Sequence, residues 1–210
     1  MMQTWDLTAW ADPRLVLPER AFRGIIFDCD GTLVDSMPIH YVAWVESLNH
    51  HEAPFDFTEE IFYSLAGVRE QDVVKLLNAK HGGAVDPDGV AEYKFELFQK
   101  RMREVGEILP VAGLARMAHG AGMPVAVASG SEEETVRGVL GANDLERLFE
   151  VIITPKLVKR GKPAPDMFLL AAERMGLAPE DCVVFEDGES GMAAARAAGM
   201  AAVFVPRTVR

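Results

Sequence analysis

Cysteine is nearly missing from this chain: Cys29 and Cys182 are the only two in 210 residues. Two isolated thiols make neither a disulfide framework nor a zinc site, and they suit a reducing cytoplasm, where we expect the protein to work. Long apolar runs are missing too. No stretch approaches the ~20 apolar residues that cross a bilayer. The opening "MMQTWDLTAWADPRLVLPER" lacks the basic cluster and apolar run expected of a secretory leader. Positive charge is the third shortage, with 21 Lys and Arg against 32 Asp and Glu and a formal net charge of −11. That balance disfavours nucleic acid or an anionic membrane surface as a partner. A small anionic ligand stays open, because a local site can oppose the global charge. No internal repeat or low-complexity run is present. Oligomeric state is left open, a monomer being the simplest case.

What is present is an ordinary globular composition, 49% apolar and 25% charged, long enough for one domain carrying a smaller one. Short apolar runs predict strands: "GIIF" at 24–27, "MPVAVASG" at 123–130, "VIIT" at 151–154, "CVVFED" at 182–187 and "AAVFVP" at 201–206. Helical patterns alternate with them, including "SEEETVRGVLGA", "APDMFLLAAERMG" and "SGMAAARAAG". Gly176 and Gly199 stand where helices should stop. This predicts an α/β fold, a parallel sheet covered on both faces. Residues 37–107 differ, with amphipathic helical patterns and no convincing strand. They predict a helical insert after the first strand, the core comprising 21–36 and 108–210. Residues 1–20 form an N-terminal extension, whose Trp5 and Trp10 suggest a docked tail although a loose one fits nearly as well.

Ligands in open α/β sheets sit beyond the carboxyl ends of the strands. There the sequence gathers its polar residues: Asp28 and Asp30 in "GIIFDCDGTLVDS", Ser129 and Ser131, Glu186 and Asp187, with Lys162 in "GKPAPDMF" preceding a helix. Two like charges ~4 Å apart cost roughly 4 kcal/mol at an effective dielectric of ~20. Four acids at one mouth therefore call for a cation or for neutralised acids. Oxygen ligands without a His/Cys set favour hard Mg²⁺ over zinc. Ser129 and Lys162 suit phosphate oxygens, and Gly130 offers a backbone amide to the same group. Gly31, Gly188 and Gly191 permit tight turns around the site. A carboxylate can attack phosphorus, and Asp28 at the strand end is the natural nucleophile. Asp30 can point into the same mouth, acting as acid toward the leaving alcohol and then as base toward water. Cys29, between them, should face the other way and pack as a small apolar group.

"DCDGTLVDS", "VASGS", "KPAPD" and "FEDGESG" resemble, in order and spacing, the four motifs of the haloacid-dehalogenase-like superfamily. The resemblance implies a Rossmann-like three-layer core with an inserted helical cap. It also implies Mg²⁺ held by Asp28, the Asp30 main-chain carbonyl and Asp187, with Glu186 supporting that shell. Two acids at positions 28 and 30 argue for phosphate chemistry rather than carbon–halogen hydrolysis. "DSMPIHYVAW" and "LAGVREQD" are similar to the β-phosphoglucomutase and sugar-phosphatase branch. This implies that His40 meets Asp30 and couples cap closure to catalysis. It also makes Arg69 and Lys94 the cap residues for substrate. The implied activity is Mg²⁺-dependent hydrolysis of small sugar phosphates through an aspartyl phosphate, similar to enzymes of the branch active on fructose 1-phosphate. The alternative is a β-phosphoglucomutase-like mutase. Glu132 and Glu133 in "SGSEEE" stand where a mutase has phosphate-binding residues, and two acids should repel a second phosphate. With a phosphate dianion bound, Asp30 is expected to have a raised pKa.

Overall fold

Backbone N–H and C=O groups that leave water must find partners, so short apolar strands assemble side by side. The computed structural model describes residues 3–66 and 68–209. Five strands, β1 (Gly24–Phe27), β2 (Val125–Ala128), β3 (Val151–Ile153), β4 (Cys182–Glu186) and β5 (Ala201–Phe204), form one sheet in the order β3-β2-β1-β4-β5. All four pairings are parallel, and Ile26 lies level with Ala126 on one side and Val184 on the other. The expected strand at 151–154 ends one residue early, because Thr154 turns into Pro155, which cannot donate to a ladder.

Alternation along the strands divides the interior in two. Ile25, Phe27, Val127 and Phe185 face one core, closed by α5 (Leu109–Gly120) and α6 (Glu133–Ala142) through Val111, Leu114, Val136 and Leu140. Ile26, Ala126 and Val184 face the other, closed by α7 (Asp166–Arg174) and α8 (Glu189–Ala197) through Met167, Phe168, Ala194 and Ala195. The result is the expected three-layer arrangement. Cys29 follows the parity of Ile25 and Phe27 into the first core and is fully buried. Gly176 and Gly199 take φ of +68° and +73° just past α7 and α8, the left-handed geometry that ends a helix without a Cβ clash.

Between β1 and α5 the chain forms α1 (Met37–His50), α2 (Glu59–Ser64), α3 (Glu70–His81) and α4 (Pro87–Arg101), with no strand among the described residues. Local chemistry sets their ends. Thr58 Oγ1 accepts the Ile61 amide at the start of α2, and the Asp86 carboxylate accepts the amides of Asp88 and Gly89 at the start of α4. These helices have an apolar core of their own, including Trp44, Leu48, Phe62, Val74, Leu77 and Val90. The segments leading in and out run side by side: Asp35 N donates to Gly106 O at 2.8 Å and Ile108 N to Leu33 O at 2.8 Å.

The N-terminal extension docks. Trp5 and Phe22 exchange backbone hydrogen bonds at 2.8 and 2.9 Å. Leu7 and Leu15 are buried in the first core, and Arg14 donates to the Thr208 carbonyl at 2.7 Å.

Candidate active site

From β1 the chain builds outward through β2 to β3, then returns across the sheet to lay β4 on the other side of β1. This reversal opens a crevice beyond the carboxyl ends of β1 and β4. Asp28 leaves the end of β1 there, and Glu186 is the last residue of β4. Lys162 arrives on the loop before α7. Its ammonium donates to Asp28 Oδ1 at 2.6 Å and to Glu186 Oε2 at 2.7 Å. All three residues are buried. Carboxylate oxygens of Asp28, Glu186 and Asp187 lie within 4.8 Å of one another. Such a cluster could hold a divalent cation.

Burial and mutual repulsion dominate the electrostatics of these acids. Burial, and then the Glu186 charge, push the Asp28 carboxyl up to about 8 despite Lys162. Burial likewise raises Glu186, with Asp187 adding to it. Lys162 is moved the opposite way: burial would lower its pKa, but Asp28 and Glu186 overcome that and raise it. One lysine does not balance these acids, and a divalent ion among them would favour the ionised carboxylates.

The glycines here have a steric reason. A Cβ on Gly191 would fall 2.0 Å from the Glu186 carboxyl carbon, so this turn of α8 can approach the carboxylate only as glycine. Gly188 N donates to Glu186 Oε1 at 3.2 Å, fixing the other oxygen.

Asp30 sits opposite, wrapped in donors. Its Oδ1 accepts Ser36 Oγ at 2.6 Å and His40 Nε2 at 3.0 Å. Its Oδ2 accepts Ser131 Oγ at 2.7 Å and Ser129 Oγ at 3.2 Å. Burial works to raise its pKa, but the His40 contact and the hydroxyl donors prevail and hold the carboxyl well below the usual range. The raised pKa expected of Asp30 belongs to the complex with a phosphate dianion, whose charge would oppose these contacts. Burial, with Lys94 next, holds the His40 pKa below its usual value, against the opposing pull of Asp30. Its ring stacks on Phe98 with centroids 4.0 Å apart, and its Nδ1 is buried without a partner.

The inserted helices roof this mouth, closing a cavity of about 70 Å³. Its floor is Asp28, Asp30, Ser129, Gly130, Ser131, Glu186 and Asp187; Trp44, Phe57, Phe62, Val68 and Val73 form most of the roof. Lys94 is on that roof, buried and ion-paired with Glu70. Arg69 is not. It borders a second cavity of about 310 Å³ between its own loop and residues 155–162, together with Lys159, Arg160 and Lys162. The two cavities share Val68 and Gly130. Glu132 and Glu133, expected to repel a second phosphate, pair instead with Lys156 at 2.9 Å and Arg137 at 2.8 Å, and neither lines either of these two cavities.

Sequence reasoning missed Ser36, Glu70 and Phe98. Ser36 closes the first motif and its hydroxyl was open to notice; Glu70 and Phe98 had no signal beyond ordinary helix positions.

The fold and site together are a parallel-sheet core roofed by inserted helices, with buried carboxylates and Lys162 at its mouth. The chain belongs to the haloacid dehalogenase-like hydrolase family, matched over residues 22–199. It is 38% identical to the fructose-1-phosphate phosphatase YqaB of Escherichia coli, over 88% of this chain and 96% of that protein. It is 31% identical to the β-phosphoglucomutase of Bacillus subtilis, over 87% and 83% of the two chains. Among solved structures it is similar to a HAD family hydrolase of Deinococcus radiodurans with bound phosphate and sodium, at 34% identity and a TM-score of 0.64, covering 86% of this chain and 79% of that one.

Proposed function

We propose that the protein is a Mg²⁺-dependent phosphatase of small sugar phosphates, with residues 37–107 as its cap over a core of 21–36 and 108–210. The observation that carries this reading is the buried Asp28–Lys162–Glu186 cluster at the floor of a roofed cavity, facing Asp30. The likeness to a fructose-1-phosphate phosphatase supports a ketose or hexose phosphate as substrate. Asp28, Asp187 and the Asp30 carbonyl would hold Mg²⁺, with Glu186 behind them. The ion, when bound, neutralises phosphate oxygens and keeps Asp28 ionised.

Asp28 attacks phosphorus, forming an aspartyl phosphate as the bond to the sugar oxygen breaks. Lys162 and Ser129 take the phosphate oxygens, with the Gly130 amide beside them. The departing sugar oxygen takes a proton from Asp30. To supply it, Asp30 must trade its four donors for proximity to the arriving phosphate, whose negative charge favours the protonated acid. Asp30 then accepts a proton from water, which attacks the acyl phosphate, releasing inorganic phosphate and restoring Asp28. His40 and Ser36 orient Asp30 between these roles. Lys94 and Glu70 meet the sugar from the roof, whose apolar wall keeps stray water away.

The test is phosphate release from a panel of sugar monophosphates with Mg²⁺. Activity lost in Asp28→Asn supports the reading; no release above that variant from any member overturns it. A mutase remains the second reading, favoured by the larger cavity flanked by Arg69, Lys159 and Arg160, which suits a second phosphate. Isomerisation of β-glucose 1-phosphate that outpaces phosphate release, with sugar bisphosphate added, would decide for it.

A further inference from the structure

The helix that roofs the cavity is short. α2 has six residues, and it places Phe62, with Leu65 and Ala66 just beyond it, on the cavity wall. A helix of this length has little stability of its own. Two contacts with the core hold it down. Ser190 Oγ, on α8, donates to the Ala66 carbonyl. Arg207, in the turn Arg207–Val209 after β5, places its guanidinium carbon 3.1 Å from the centroid of the Tyr63 ring.

Arg207 is exposed, and an exposed turn at a chain end is ordinarily loose. Here it is tied at two points. Val209 is buried in the first core, and the Thr208 carbonyl accepts Arg14 Nη1 at 2.7 Å. Arg14 is itself oriented by a two-pronged ion pair with Asp12, at 2.8 and 2.9 Å. That bidentate fork leaves the remaining guanidinium nitrogen aimed at Thr208. The extension carrying Asp12 and Arg14 is anchored through buried Leu7 and Leu15. A continuous set of contacts therefore runs from the N-terminal extension, through the C-terminal turn, to the roof of the cavity. Arg14 and Arg207 both lie outside the residues 22–199 that match the family.

We propose that Arg207 is a positioning residue that latches α2 shut over the cavity, and that the N-terminal extension, through Arg14 and Thr208, holds this latch in register. The latch biases the roof toward the closed state and touches neither phosphate nor the reacting carboxylates. It depends on the phosphatase reading only for its effect on turnover.

The test measures roof opening without substrate. Amide hydrogen exchange of residues 58–66 is followed in the full-length protein and in Arg207→Ala, Arg207→Lys, Tyr63→Leu, Tyr63→Phe and Arg14→Ala. A cation over an aromatic face at an exposed site is worth about 0.5–1 kcal/mol, so losing it should speed exchange of α2 roughly two- to five-fold. Arg207→Ala and Tyr63→Leu should show this to the same extent, and the double variant should show no more than either alone. Tyr63→Phe and Arg207→Lys should stay near the parent, because ring and charge are kept. Arg14→Ala should shift exchange in the same direction by a smaller factor. Exchange in β1 and β4 should not change in any of them. With a hydrolysed sugar phosphate, Arg207→Ala should raise KM and leave kcat within two-fold. Unchanged α2 exchange in Arg207→Ala, or additive effects in the double variant, would overturn the latch. The exchange result stands even if no sugar phosphate is hydrolysed, so failure of the latch and failure of the phosphatase reading are separable.

Discussion

Alanine at position 191 should disable the acid cluster without replacing any charged residue. The added Cβ would sit 2.0 Å from Glu186 Cδ and 2.3–2.4 Å from its two oxygens. Ordinary carbon contacts lie near 3.5–4.0 Å, so the carboxylate must retreat by about 1.5 Å. Retreat is hard. Glu186 is 2% exposed, with Oε2 held by Lys162 at 2.7 Å and Oε1 by the Gly188 amide at 3.2 Å. A 1.5 Å shift away from Lys162 would stretch that contact to roughly 4 Å, past the reach of a hydrogen bond. Overpacking of this kind costs about 1–3 kcal/mol. For a chain of this size that is roughly 2 to 12 °C in Tm. Thermal unfolding, run with and without Mg²⁺, measures it, and titration calorimetry reports the ion. Gly191→Ala should melt lower, bind Mg²⁺ at least ten-fold more weakly and lose most phosphatase activity. Gly188→Ala is the control: its Cβ meets nothing closer than 3.2 Å, so the effect should be smaller. A Gly191→Ala protein with native Tm and native Mg²⁺ affinity would refute the packing argument.

Metal should stabilise the fold: at 100 times its dissociation constant Mg²⁺ adds about 2.7 kcal/mol, and this gain should largely vanish in Asp187→Asn. An equal Tm rise in both proteins would place the ion elsewhere. Lys94→Met should destabilise by about 1–3 kcal/mol, below the 3–5 typical of a fully buried pair because solvent reaches Glu70. Adding Glu70→Gln should recover part of that loss in urea unfolding, and no recovery would count against the pair. Burial pushes the Cys182 thiol up to about 12 and raises Cys29 well above its usual value. A raised thiol pKa keeps the neutral form until pH approaches that value, so at pH 8 roughly one Cys182 in 10⁴ is thiolate. Titration with an aromatic disulfide reagent at that pH should find no fast thiol in the native protein and two after denaturation. A fast native thiol would contradict the burial of either residue.

Much of this molecule was legible from residue order because its signals are local. A strand such as "GIIF" announces itself by composition, Gly176 and Gly199 by where they interrupt a helical pattern, and the acids at 28, 30, 186 and 187 by standing at strand ends. Parallel strands all deliver their carboxyl ends to one rim, so placing them in a sheet was enough to bring those acids together with Ser129 and Lys162. Side-chain pairing between remote segments has no such periodic trace. Arg69 stands beside a plausible motif, yet the turn of its loop carries it to the cavity next door. Glu132 and Glu133 look like bare negative charge until Lys156 and Arg137 are found against them. Asp30 reads as an acid and base beside Asp28, but the four donors that converge on it, from the segments 36–40 and 129–131, leave no trace in its own sequence neighbours. Arg14, Thr208, Arg207 and Tyr63 meet for the same reason as these: the packing of chain ends on a shared core set their distances, and no residue's neighbours in sequence encode that packing.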